Sequence, residues 1–551
     1  MEKRLSVIPL GGVEEIGMNM TVMEYGDDMI IIDAGLMFPE EDMLGVDFVI
    51  PDFTYVLDNR DKVRAIFLTH GHEDHVGALP FLLREIKVPV YGTPLTLGLV
   101  REKLKEHNLE EIELRSIRPR DIIREGAFTL EPIRVTHSIV DGVAYGIRTP
   151  AGLVVHTGDF KLDPTPVDGQ LMDFHKFSEY GEEGTLLLLS DSTNAERGGF
   201  TFSEKEVRRA FEDIFSEAKG RIIIATFASN IHRIQQVIDV AVMFGRKVIL
   251  SGKSMVANAQ IALDLGYLRI PSDTWLKLDA LRNLDDREVV IVTTGSQGEP
   301  MSVLSRIATD EHKQIKIKEN DVVILSAKVI PGNEHSIGRI INHLFRRGAN
   351  VIYEKVSEIH VSGHASKEEL KLMLNLVRPK YFMPVHGEFR HKFYHGRLAD
   401  KIGIPKEHIF NLENGDVLEV AAGEARKAGT VTSGRIFVDG KGVGDVEDMV
   451  LRDRRRLAHD GIVIVIITIE KLTGSIISGP EIISRGFIFE DASQEVLTDV
   501  KELVHDTLRE MTTELIGDKT LVQAKIRSVL KKYLRNTMER KPMIMPLIFE
   551  V

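Results

Sequence analysis

The stretch Thr69-His70-Gly71-His72-Glu73-Asp74-His75 constrains this chain more than any other. It follows Val63-Arg64-Ala65-Ile66-Phe67-Leu68, an apolar run that reads as a buried strand. It precedes Gly77-Ala78-Leu79-Pro80-Phe81-Leu82-Leu83, whose spacing predicts the start of a helix. His70, His72, Asp74 and His75 therefore sit where a strand end opens into a loop, a rigid place from which donors can converge on one point. Imidazole with carboxylate suits zinc or manganese. Single hydrogen-bonded histidines on solvated turns are common. This density of alternating ligand types is not.

The absence of cysteine excludes disulfides and thiolate ligands, so any metal here is held by nitrogen and oxygen. A chain of 551 residues with 43% hydrophobic content can bury several cores, roughly three to four domains by length. Its longest aliphatic stretch, Ile462-Val463-Ile464-Val465-Ile466-Ile467, is far too short to cross a bilayer. Met1-Glu2-Lys3-Arg4-Leu5 leads into a strand and not into a secretory leader, so a cytoplasmic protein without membrane partners is expected. The net charge of −13 counts against a nonspecific polyanion binder. It leaves room for a nucleic-acid enzyme whose basic surface is confined to one groove.

From Leu5 to about Thr201 the chain reads as short strands with few helices, including an antiparallel meander through Met20–Tyr25 and Met29–Ile32. Such sheets with helices outside them suggest αββα layering. After Ser203, an N-cap, apolar strands alternate with helices: Arg221–Thr226, Lys247–Leu250, Glu288–Thr293, Asp321–Leu325 and Asn350–Tyr353. That rhythm predicts a doubly wound parallel sheet. The first style resumes with a capped helix after Ser366 and the strand Tyr381–Val385. The α/β segment is then an insertion. The expected organisation is 1–203 and 356–420 for a split first domain, 204–355 for the insertion, 421–449 for a linker built around the small polar run Ala421–Gly429, and 450–551 for a small C-terminal α/β domain.

Further ligand types follow other apolar runs: His137 after Val135, His156 and Asp159 after Val155, and His386 after Val385. Each alone reads as an ordinary loop residue. Together with the first loop they read as one site at a sheet edge.

The order His-x-His-x-Asp-His, then His, Asp and His, resembles the metallo-β-lactamase superfamily. The resemblance implies one metal on His70, His72 and His137, a second on Asp74, His75 and His386, and a bridging Asp159, with Asp74 also counted among the catalytic residues. Two divalent ions are implied, zinc first, with manganese or magnesium as the other candidates. Cations about 3.5–4 Å apart activate water to hydroxide for attack on a phosphodiester or a carbonyl. No position of the pattern is vacant, which counts against a catalytically dead paralogue.

The insertion narrows the substrate. It resembles the β-CASP branch, with Asp191 in Leu187-Leu188-Leu189-Ser190-Asp191-Ser192-Thr193, His364 in Val361-Ser362-Gly363-His364-Ala365-Ser366, and His386 in Pro384-Val385-His386-Gly387-Glu388. Hydroxyls and backbone amides in the latter loop, at a helix N-terminus, are suited to a phosphate, although Ser366 also reads as an N-cap. His360, Val361, Ser362, Gly363, His364 and Ser366 are the expected substrate contacts. His364 is expected to protonate the leaving 3′-oxygen or to stabilise charge on the phosphate, with Asp191 positioning it. Ser229, Asn230, His232 and Ser296, on βα loops of the insertion, are weaker candidates for RNA phosphates, and each also fits an ordinary turn. Gly252-Lys253-Ser254 is not a nucleotide-binding loop, because Lys247 stands where such a loop needs its first glycine.

Gly11-Gly12-Val13-Glu14-Glu15-Ile16-Gly17-Met18-Asn19, Asp33-Ala34-Gly35 and Thr294-Gly295-Ser296-Gln297-Gly298-Glu299-Pro300 are similar to the bacterial ribonuclease J family. The resemblance covers essentially the whole chain. It implies 5′→3′ exonuclease activity on single-stranded RNA with a 5′-monophosphate, endonuclease activity, roles in ribosomal RNA maturation and messenger RNA decay, a homodimer or homotetramer, and association with other RNA-degradation proteins. A DNA nuclease, a small ester or thioester hydrolase of the same fold, and a silent RNA-binding scaffold are the rival readings. Arg452, Arg454, Arg455, Arg456, Lys525, Arg527, Lys531, Lys532 and Arg535 read first as solvated helix faces and second as an RNA groove.

Overall fold

The computed structural model describes residues 3–40, 42–297, 299, 301–327, 333–354, 359, 361–421, 423–470, 475–487, 494–512, 516 and 518–551. Two compact units are present: Met1–Phe38 with Phe48–Ile436, and Pro39–Asp47 with Phe437–Val551.

The first unit contains an αββα sandwich. Its eight-stranded sheet runs Ala425–Thr430, Asp416–Val420, Leu5–Gly11, Met20–Tyr25, Asp28–Ile32, Val63–Phe67, Val90–Gly92, Leu114–Ser116. The six-stranded sheet runs Tyr381–Val385, Thr185–Asp191, Gly152–His156, Val143–Thr149, Phe128–Arg134, Ile123–Glu125. Val7, Ile30 and Phe67 from one sheet pack against Leu130, Val154, Leu187 and Met383 from the other. Helices Phe174–Glu183, Lys367–Val377 and Phe389–Lys401 cover the outer face of the second sheet. The αββα expectation thus holds, and it places the ends of Val63–Phe67, Phe128–Arg134, Gly152–His156 and Tyr381–Val385 at one edge.

The inserted segment forms its own six-stranded sheet, Trp275–Leu276, Lys247–Ser251, Val289–Thr293, Ile222–Ala225, Val322–Leu325, Asn350–Ile352, with every pairing parallel. Ile222–Ala225 and Val289–Thr293 are buried along their whole length, because helices cover both faces. One of the two flanking cores also takes in Leu95, Ile139, Val140, Ile359 and Val361. Ile139 and Val140 belong to the loop that carries His137, Ile359 and Val361 to the one that carries His364, and Leu95 to helix Pro94–Glu106. The apolar core of the insertion therefore fixes loops of the sandwich.

The expected linker is corrected by the structure. Ala425–Thr430 is an edge strand, paired antiparallel from Asp416↔Thr430 to Val420↔Ala425. Five of its six residues are exposed, so it carries no amphipathic signal and reads as a linker. Arg435–Asp439 is a further strand within 421–449.

In the second unit, Ile462–Ile469 lies between Ile476–Arg485, antiparallel, and Met543–Glu550, parallel. Helices Gln494–Arg509 and Lys519–Met538 pack on one face through Val500, Val504, Ile526 and Leu530. Arg454 donates to the Leu44 carbonyl (2.9 Å) and Arg455 pairs with Asp42 (2.8 Å), so two of the clustered arginines serve structure. Among the described residues no helix is long and apolar enough to cross a membrane.

Candidate metal centre

The His70–His75 loop is held by its backbone. Asn19 N–H donates to the Asp74 carbonyl (2.9 Å), Ala34 N–H to His75 (2.8 Å) and Leu36 N–H to Glu73 (3.0 Å). Gly35 makes this approach possible, since a Cβ there would stand 1.7 Å from the Asp74 carbonyl oxygen. Glu73 turns away to Lys103 (2.6 Å) and leaves the inward positions to the other donors.

Those donors gather in two groups. His70, His72 and His137 form the first. His72 Nδ1 is 3.0 Å from His70 Nε2 and 3.2 Å from His137 Nε2. The His137 Nδ1–H donates to the Gly363 carbonyl (2.7 Å), which turns the Nε2 lone pair inward. Gly363 has no Cβ because one would lie 2.7 Å from that ring. Burial pushes all three rings toward the neutral form, His70 well below the usual range, His72 to about 4 and His137 to about 3, against the pull of Asp159. Neutral imidazole is the ligating form.

Asp74, His75, Asp159 and His386 form the second group. His75 Nε2 is 3.3 Å from Asp159 Oδ2, and His386 is 3.0 Å from Asp159 Oδ1 and 3.3 Å from Asp74 Oδ2. Burial disfavours charge on His75, but Asp159, Asp74 and Asp33 outweigh it and push the ring up to about 10. Burial likewise opposes charge on Asp74 and Asp159, yet the facing rings hold both carboxyls low.

These residues fit a pair of cations. The first group turns the lone pairs of His70 and His137 onto the same point as His72 Nδ1, and protons cannot satisfy them all. In the second, Asp159 Oδ1 and His386 Nε2 are buried with ionic contacts at 3.0 and 3.3 Å but no well-aligned hydrogen bond. Asp159 Oδ2 is also 3.8 Å from both His70 Nε2 and His137 Nε2, so it faces both groups. His156, the competing candidate, accepts from Gly158 N–H (3.1 Å) and falls in neither group.

One orienting residue was not legible. Asp33, at φ 61° on a strand end, accepts from Thr69 N–H (2.8 Å), Thr69 Oγ1 (2.7 Å) and His75 Nδ1 (2.8 Å). It is the carboxylate behind a ligating histidine. Its sequence cues are an acidic residue closing the apolar strand Asp28–Ile32 and the family-like run Asp33-Ala34-Gly35, neither of which assigns it this role.

The remaining candidates separate. His364 Nδ1 lies 2.8 Å from Asp191 Oδ2 and 3.8 Å from Asp159 Oδ2. Burial opposes its protonation, Asp191 and Asp159 favour it, and the balance raises its pKa. Asn194 Nδ2 fixes this loop by donating to Ser362 Oγ (2.8 Å) and the His364 carbonyl (2.9 Å). Val361 faces the inserted core, so only its backbone is offered to a ligand. Ser366 caps helix Lys367–Val377 reciprocally with Glu369. The amides of Ser366, Lys367 and Glu368 are taken by Glu369 (2.7 Å), Arg197 (2.9 Å) and Gly199 (3.2 Å). This corrects the helix-terminus reading, because these amides are already spent within the protein. His360 lies outside the described residues.

Asn230 caps its own helix by accepting from Arg233 N–H (3.0 Å). His232 lies 3.5 Å from Asp168, Ser296 is buried, and Ser229 is half-buried on the same loop as Asn230. Arg233, in the first turn of helix Ile231–Met243 after that loop, is wholly buried. It pairs with Glu204 (2.7 Å), contacts Ser326 and donates to the Ile359 carbonyl (2.9 Å). Glu204 also meets Lys161 (3.5 Å), two residues beyond Asp159. A buried chain of charges thus ties the metal-site strand end to the base of the His364 loop.

Donor loops gathered at one edge of an αββα sandwich, with a parallel domain inserted before the last donor, define a metallo-hydrolase of the metallo-β-lactamase superfamily. Comparison with known families agrees segment by segment. The metallo-β-lactamase superfamily matches residues 15–176, the ribonuclease J β-CASP domain 219–344, a Zn-dependent metallo-hydrolase RNA specificity domain 348–409, and the ribonuclease J C-terminal domain 449–551. Ribonuclease J of Thermus thermophilus is 45% identical over 100% of this chain and 96% of its own length. Ribonuclease J 1 of Streptococcus pyogenes is 44% identical over 99% and 97%, and Ribonuclease J2 of Bacillus subtilis 44% over 100% and 99%. This chain belongs to the ribonuclease J family. A solved protein of unknown function from Enterococcus faecalis shares the fold at TM-score 0.54 and 16% identity, over 76% of this chain and 100% of that one.

Proposed function

We propose that the protein is a metal-dependent ribonuclease that removes nucleotides 5′→3′ from single-stranded RNA bearing a 5′-monophosphate and also cleaves internally, in ribosomal RNA maturation and messenger RNA decay. The observation that carries this reading is the join between the two halves of the site. The Gly363 carbonyl holds His137 at 2.7 Å, while the next residue, His364, sits on Asp191 at 2.8 Å. Hydrolytic donors and the loop suited to a phosphate are one piece of structure. The match to an RNA specificity domain over 348–409 spans that loop.

We assign His70, His72 and His137 to one cation and Asp74, His75 and His386 to the other, with Asp159 shared. Two zinc ions suit this donor set best, manganese or magnesium being the alternatives. Bound there, divalent cations supply Lewis acidity to the phosphodiester and lower the pKa of water toward neutrality. His364 does the proton work. Its Nδ1–H is committed to Asp191, and its raised pKa keeps a proton on Nε2 for the leaving 3′-oxygen. Water oxygen adds to phosphorus, the P–O3′ bond breaks, and the shortened RNA again begins with a 5′-monophosphate. Backbone at Ser362–His364 receives the terminal phosphate. A single phosphate fits one nucleotide from the cations and a triphosphate does not.

RNA labelled at the 5′ end tests the reading. With 5′-monophosphate ends the wild type releases mononucleotides, and with 5′-triphosphate ends it slows. Chelator abolishes cleavage, and His72→Ala lowers it by about 10³-fold, the scale of losing several kcal/mol of charge stabilisation. Cleavage that survives both treatments overturns the mechanism.

The second unit supports a homodimer or homotetramer. Helices cover one face of its sheet, while Ile477, Met545 and Phe549 stay exposed at 57%, 39% and 54%. Sedimentation measures the assembly. A cytoplasmic setting and association with other RNA-degradation proteins complete the reading.

A further inference from the structure

Helix Phe389–Lys401 begins three residues after His386 and buries His391, Lys392, His395, Leu398 and Ala399 against the sandwich. Its other face breaks the rule for a solvated helix. Phe389 is 58% exposed, Phe393 44% and Tyr394 38%. Between and beyond them stand Arg390, Arg397 and Lys401, all exposed; Arg390 pairs with Glu388 (3.0 Å) and Glu196 (3.7 Å), and Asp400 is the acidic residue on the outer face of the helix.

The rings are ordered. Phe389 and Phe393 stack at 6.3 Å and 25°, and Tyr394 meets Phe393 edge-on at 5.9 Å. Arg397 lies 5.8 Å from the Phe393 ring centre and Lys367 5.6 Å from that of Tyr394. Lys367 directly follows Ser366, and its amide donates to Arg197 (2.9 Å). The same segment then exposes Phe200 and Phe202 at 61% and 64%, on either side of Thr201, whose hydroxyl donates to the His364 carbonyl (2.9 Å). Five of the nine exposed aromatic residues among the described residues fall on this track.

We infer that this track, running from the back of the His364 loop onto helix Phe389–Lys401, is a stacking platform for single-stranded RNA lying outside the catalytic cleft. The inference rests on the ribonuclease reading above. Bases stack on aromatic faces whatever their sequence, and neighbouring cations take the phosphates. An interface with a second copy would also enrich aromatic residues and arginine, but it would deplete lysine. Here the outward face of the helix is aromatic with no aliphatic residue, and it carries Arg397 and Lys401 against Asp400, with Lys367 beside it on the Tyr394 ring. The match named for RNA specificity, 348–409, contains the whole helix.

The test compares Phe393→Ala/Tyr394→Ala with the wild type on two 5′-monophosphate RNAs, a tetranucleotide and an unstructured RNA several times longer. The double variant is expected to raise KM for the long RNA about tenfold, with kcat unchanged and both constants unchanged on the tetranucleotide, as loss of base stacking requires. Phe393→Trp with Tyr394 intact should keep the wild-type KM. Circular dichroism verifies the fold. An unchanged KM for the long RNA overturns the platform, and so does a change in sedimenting mass, which would assign the face to a second copy. A wild type that cleaves neither RNA overturns the ribonuclease reading and the platform with it. Cleavage of both with equal length dependence in variant and wild type overturns the platform alone.

Discussion

His70, His72 and His137 meet as three neutral rings, whereas Asp74, His75, Asp159 and His386 meet as two carboxylates facing two rings that those carboxylates keep protonated. Both groups are buried to a similar depth, each with one half-buried member, His72 in the first and Asp74, with 30% of its side chain exposed, in the second. The difference comes from where carboxylates stand. Asp159 is 3.8 Å from two rings of the first group, too far to overcome desolvation. It is 3.3 Å from His75 and 3.0 Å from His386, where it wins. A cation entering the first group finds lone pairs ready. One entering the second must displace protons.

The largest expected effect follows from that contrast. Chelator-stripped protein is titrated with zinc by calorimetry at pH 6 and pH 8. His75 titrates near 10 and His386 well above its ordinary value. Both therefore hold protons across this window, and lowering pH strengthens their competition with the cation. Binding at the carboxylate-bearing group should expel about two protons and weaken about tenfold per proton for each pH unit lowered. Binding at the three-imidazole group should hardly change, because His72 and His137 titrate near 4 and 3. Equal slopes for the two events would break the comparison.

The next effect is confined to one group. Asp33→Asn keeps the left-handed backbone that asparagine tolerates and removes the charge behind His75. A loss of about 10- to 100-fold in metal affinity or turnover is expected, as for other carboxylates behind ligating histidines. Metal analysis should show the three-imidazole group still loaded. Equal depletion of both groups would mean that they are not separable.

Asp33 also marks where the sequence stops being legible. The ligand loop and its distant partners could be read because each donor follows an apolar run. The parallel insertion could be read because strands buried on both faces are continuously apolar, as at Val289–Thr293. Lys161, Glu204 and Arg233 could not, since isolated charged residues read as solvated ones, yet all three are buried. Their partners lie far away in sequence, and only the packed fold brings them together. Ala425–Thr430 was missed for the opposite reason, an edge strand with almost nothing buried. The helix N-terminus after Ser366 looked free for a phosphate, and its amides turned out to be spent on Arg197, Gly199 and Glu369.

The smallest effect tests whether anything ties the two groups together behind the ligands. The Thr69 hydroxyl donates to Asp33 Oδ2 at 2.7 Å, which leaves its oxygen to accept from His70 Nδ1 at 3.1 Å. Asp33 orients His75, so one hydroxyl touches the supports of both groups. Thr69→Val keeps the shape and deletes the relay. One hydrogen bond contributes about 0.5–1.5 kcal/mol, so zinc affinity should fall about 2- to 12-fold. That fall should appear at both groups, unlike the one-sided loss of Asp33→Asn. A loss confined to the His75 group would show that His70 is oriented by its packing against the His75 ring, 4.1 Å away between centroids, and not by the hydroxyl.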